Sequence, residues 1–128
     1  MKHFELSEMI LAAFVNTPSQ ETFKRKMEMI YPRLNNFQFE ILSEQLKTYQ
    51  SFGERETLFL FPWILNNIRT GHPHLTQKQL AQTLWDRGFK SELESVEKVE
   101  QMYCSWIALE KKLIEIEKEH AIDQELER

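Results

Sequence analysis

The chain has 128 residues, enough for one domain with its own core. Hydrophobic residues make up 41% and charged residues 28%, which excludes wholesale disorder, and 3 Gly with 4 Pro are too few for an all-β chain built on tight turns. The net charge of −4 is uneven: residues 1–90 carry 11 Lys/Arg against 9 Asp/Glu, and residues 91–128 carry 5 against 11, so the acidic end repels nucleic acid unless it faces away.

The N-terminal run holds Glu5 and Glu8 among its apolar residues and reads as a helix rather than a signal peptide. Leu6, Ile10, Leu11, Phe14 and Val15 recur at helical spacing and place the first helix over residues 6–16. Asn16-Thr17-Pro18-Ser19 breaks it. Either Thr17 caps a second helix with Pro18 at its first position, or Ser19 does. That helix turns Phe23, Met27 and Ile30 inward, and Tyr31-Pro32 ends it, because a residue before proline disfavours the helical region. Lys24-Arg25-Lys26 lies between Glu21 and Glu28 and reads as a solvated face.

A third helix follows the caps Asn35 or Asn36, with Phe39, Leu42, Leu46 and Tyr49 as its stripe and Phe37 and Ile41 beside it. Gly53 fits a left-handed cap at its end. The fourth segment carries the most apolar run, Leu58 to Leu65. Pro62 argues against a central strand there and implies a kink or a break in a helix, and a broken helix buried on most sides is expected. This run is also far too short to span a membrane. The loop Thr70-Gly71-His72-Pro73-His74 comes next, and Thr76 caps a fifth helix, Gln77 to Arg87, closed by Gly88.

Leu75-Thr76-Gln77-Lys78-Gln79-Leu80-Ala81-Gln82-Thr83-Leu84 resembles the first helix of a phage-repressor type of helix-turn-helix. That resemblance implies a DNA reader whose second helix opens at Ser91, with Thr76, Gln77, Lys78, Lys90, Ser91 and Ser95 facing the duplex. Trp85 to Phe89 makes a longer turn than that motif uses, and Glu92 and Glu94 stand where a base reader carries Arg, Lys, Asn or Gln.

The last helix is the longest. Val99, Met102, Trp106, Leu109, Leu113 and Ile116 alternate steps of three and four, a heptad seam, and Ser91-Glu92-Leu93-Glu94 reads as its capping box. No Gly or Pro follows Gly88, so the helix is expected to run to Ile122. The seam either closes the bundle or pairs with a second copy through its C-terminal half.

Little in the sequence carries chemistry. His72 and His74 lack further ligands at zinc spacing, and the single Cys104 sits in an acidic helix without a base nearby. No glycine-rich phosphate loop and no hydrolase elbow occur. The expectation is an all-α chain of five or six helices in a compact bundle. A single helical domain covers residues 1–122, with a frayed polar tail over 123–128. The expected function is a non-catalytic, cytoplasmic interaction module that needs no cofactor or metal and has no membrane contact. It would regulate a protein partner bearing a basic surface through Glu94, Glu97, Glu100, Glu110, Leu113 and Ile116, with a homodimer through the C-terminal helix as one form. The alternative is a DNA-binding regulator built on residues 75–103.

Overall fold

A computed structural model describes the backbone of residues 3–17 and 19–126 and the side chains of residues 6–17 and 19–119. Among these residues the fold is all-α, with six helices and one π-helical turn and no strand. The helices are α1 (His3–Asn16), α2 (Gln20–Ile30), α3 (Asn36–Gln50), α4 (Arg55–Gly71), α5 (Gln77–Leu84) and α6 (Val96–Leu126), and the π-helical turn, Trp85–Phe89, follows α5. The chain packs as two units, Met1–Leu46 with Ala108–Arg128 and Lys47–Ile107, and the divisions fall inside α3 and α6.

Caps decide several boundaries. Ser19, not Thr17, starts α2: its hydroxyl accepts the Thr22 N–H at 3.1 Å. Pro18 lies outside the described residues. Asn35 starts α3 reciprocally, taking the Gln38 N–H at 2.7 Å while its own N–H reaches Gln38 Oε1 at 3.2 Å. Thr76 and Gln79 form the same kind of box at α5.

In the first unit, α1 and α2 bury Leu6, Ile10, Leu11, Phe23 and Met27. α3 contributes Phe39, Leu42 and Leu46, and α6 contributes Leu109, Leu113 and Ile116. Each fully buried side chain of this size stabilises by roughly 1.5–3 kcal/mol before conformational entropy is charged against it. Phe23 is the hub, with ring centroids 5.3 Å from Phe14 and 5.8 Å from Phe39. Lys24 extends over the Phe39 ring and donates to Asn36 Oδ1 at 2.7 Å, so the basic run is tied to its own fold at that point. Phe37 does not join the stripe: it is 69% exposed.

The first unit also buries polar groups along α6. Gln38 Nε2 donates to Glu119. Tyr31 is buried, and desolvation together with the nearby Glu117 carboxylate pushes its phenol up to about 12. An unfolded tyrosine gives up its proton near pH 10. Between there and about 12 the unfolded chain therefore binds fewer protons than the folded one, and alkali favours unfolding. Tyr31 contributes its full stability below pH 10 and loses it as pH rises through that window. Urea midpoints taken from pH 8 to 12 are expected to fall less steeply above pH 10 in Tyr31→Phe than in the parent, and identical slopes would refute this.

In the second unit, the end of α3 supplies Tyr49, α4 supplies Leu58, Phe61, Leu65 and Ile68, and α5 supplies Leu80, Ala81 and Leu84. Phe89, Leu93, Val99, Met102 and Trp106 complete the core. Its aromatic cluster runs from Trp106 to Tyr49 (5.1 Å), from Tyr49 to Phe61 (6.2 Å) and from Phe61 to Phe89 (5.4 Å).

Five features differ from the sequence reading. Gly53 is not left-handed, since no described residue has a positive φ. A Cβ there would lie 3.2 Å from the Thr57 side chain, so close approach accounts for the glycine. α4 is unbroken across Pro62. Gly88 does not close α5 but lies within the π-helical turn. α6 starts four residues past the predicted box, at a cap made by Ser95, whose hydroxyl takes the Lys98 N–H at 3.2 Å. At its other end α6 continues past Ile122 to Leu126, into the stretch expected to be a frayed tail, and residues 127–128 lie outside the description.

Gly71 closes α4 with helical neighbours on one side and nothing within 4 Å of an added Cβ. Gly71→Ala is expected to stabilise by about 0.5–1 kcal/mol, because alanine restricts the unfolded chain without a clash. Chemical denaturation would read this directly, and a destabilised variant would refute it.

Candidate functional site

The candidate surface is built from α4 and from the head of α6, both in the second unit. The apolar run 58–65 is wound at 3.6 residues per turn, which divides it between two environments. Leu58, Phe61, Pro62 and Leu65 face the core. Leu60 is 38% and Trp63 57% exposed, and with Glu56 and Asn67 they form a stripe at steps of four, three and four along the outer side of α4. Phe59 beside them is half-buried under the Arg55 guanidinium, 5.9 Å from its ring centroid. An exposed Trp next to an exposed Leu is informative in a way that a scattered surface Leu is not.

The carboxylates lie elsewhere in the same unit. Glu94 and Glu97 are exposed, and Glu100 is half-buried. Glu97 and Glu100 line an open groove with Gln77, Gln101 and Cys104, and no Lys or Arg lines it. Gln77 Nε2 donates to Glu100 Oε1 at 2.8 Å and to Cys104 Sγ at 3.4 Å. Cys104 is an exposed thiol, and the residues that line its groove are carboxylates and amides, which do not raise its reactivity.

The six residues expected to bind protein are not brought together. Glu94, Glu97 and Glu100 belong to the second unit, and Glu110, Leu113 and Ile116 to the first. Glu110 is 8% exposed, Leu113 1% and Ile116 0%, so these three are interior. The half of the seam assigned to a second copy is therefore spent within the chain's own fold, and the reading of Leu113 and Ile116 as a dimer surface is corrected. Neither side chain has area left to bury.

Of the six residues expected to face DNA, five are engaged within the fold. A helix-turn-helix joins its helices by three or four residues. Here the π-helical turn and a loop running to Ser95 stand between α5 and α6. Thr76 and Ser95 spend their hydroxyls on helix caps. Gln77 is turned onto Glu100 rather than outward to a phosphate. Lys90 lies 3.6 Å from Asp86, and the Ser91 hydroxyl donates to Glu92 at 3.3 Å. Lys78 is exposed. Acidic partners thus face three of the six positions that would approach phosphate.

His72 and His74 are exposed in the loop after α4. Among the described residues no group of three or more His, Cys, Asp or Glu side chains is placed to hold a metal ion. Nor is any described helix long and apolar enough to cross a membrane.

The sequence reading missed Trp63 by treating residues 58–65 as one apolar block. The signal was present: positions 60, 63 and 67 share a helix face that 58, 61 and 65 do not. No protein-family model, curated protein or solved structure matches this chain.

Proposed function

We propose that the protein is a non-catalytic helical interaction module that regulates or assembles a protein partner bearing a basic surface. The observation that supports it is the exposed Leu60–Trp63 face of α4, left uncovered while the opposite side of the same helix is fully buried. Tryptophan is the residue type that most often dominates interface energetics, because one rigid ring buries a large area at low entropic cost. Glu94, Glu97 and Glu100 supply the sign of the partner: carboxylates at the head of α6 favour encounter with Lys and Arg and disfavour acidic surfaces. We place this activity in the cytoplasm, a setting that suits an exposed thiol without a disulfide partner.

The test is a pull-down from native cell extract, treated with nuclease, using the parent chain, Trp63→Ala and the triple variant Glu94→Gln/Glu97→Gln/Glu100→Gln. A captured protein is expected to survive nuclease. Trp63→Ala is expected to lower its retention at least tenfold, and the triple variant to weaken capture chiefly at low salt. Equal capture by all three proteins refutes the proposal, as does recovery that depends wholly on nucleic acid. Circular dichroism on each variant separates loss of binding from loss of fold.

A further inference from the structure

We draw no further inference here: the strongest candidate, the open groove lined by Gln77, Glu97, Glu100, Gln101 and Cys104 at the head of α6, is an acidic cluster beside a lone thiol with no second observation that points to a ligand, and its charge already belongs to the surface proposed above.

Discussion

Trp106→Ala is expected to destabilise the chain by about 3–5 kcal/mol, the range for truncating a large buried aromatic. The indole is 0% exposed and packs its ring 5.1 Å from that of Tyr49. Truncation removes both its transfer energy and its contacts, and a helix as long as α6 does not collapse readily into the space. A second variant makes the prediction sharper. The Trp106 Nε1 is buried and has no hydrogen-bond partner among the described residues. A buried N–H left unpaired costs about 1–3 kcal/mol. Trp106→Phe loses part of the ring but also removes that donor, so the two effects oppose each other. Its cost is expected to stay below about 1.5 kcal/mol, in the range of conservative apolar swaps. Urea denaturation of the three proteins decides the matter. If Trp106→Phe is as damaging as Trp106→Ala, the indole N–H is hydrogen-bonded after all, and its role is more than packing.

Trp106 belongs to the part of the fold that was legible from the residues alone. The seam of α6 repeats at three and four, and all six of its members are buried. Periodicity of that kind reports which face is covered but not what covers it. That is why Leu113 and Ile116, read with the same pattern, fitted a second copy as well as the chain's own helices. The start of α6 was misread for a different reason. Ser91-Glu92-Leu93-Glu94 has the form of a capping box, yet the cap is at Ser95. Phe89 and Leu93 account for the shift, because both are buried and the Leu93 N–H bonds to the Phe89 carbonyl at 3.0 Å. This holds the segment out of α6 until Ser95. The π-helical turn before it spans one residue more per hydrogen bond than an α-helix and brings Phe89 against Phe61. No local pattern of polar and apolar residues announces such an insertion. Of the candidate site, the acidic head of α6 followed from charge alone. The aromatic face of α4 required knowing that Pro62 leaves the helix intact, since a broken helix would have turned Trp63 elsewhere.

Why Pro62 leaves it intact leads to the second large effect: Tyr49→Phe is expected to cost about 1–3 kcal/mol, although it removes a single oxygen. Proline has no N–H to give to the residue four back, which here is Leu58. The Leu58 carbonyl is instead met by the Tyr49 hydroxyl at 2.6 Å, a buried bond that crosses from α3 to α4. Burial alone pushes the Tyr49 phenol well above its usual value, so the hydroxyl keeps its proton and can donate throughout the neutral range. Phenylalanine preserves the ring against Phe61 and Trp106 and leaves the carbonyl without its partner. On this account the cost depends on proline. In a Pro62→Ala background the alanine restores a backbone N–H that can serve the Leu58 carbonyl along the helix, and Tyr49→Phe is expected to lose most of its effect. The four proteins form a double-mutant cycle, and a coupling of about 0.5–3 kcal/mol is expected between the two sites. Equal costs of Tyr49→Phe in both backgrounds would show that the hydroxyl acts independently of the proline. With coupling, α3 and α4 are joined through the gap that proline leaves in the α4 ladder, next to the turn that carries Leu60 and Trp63.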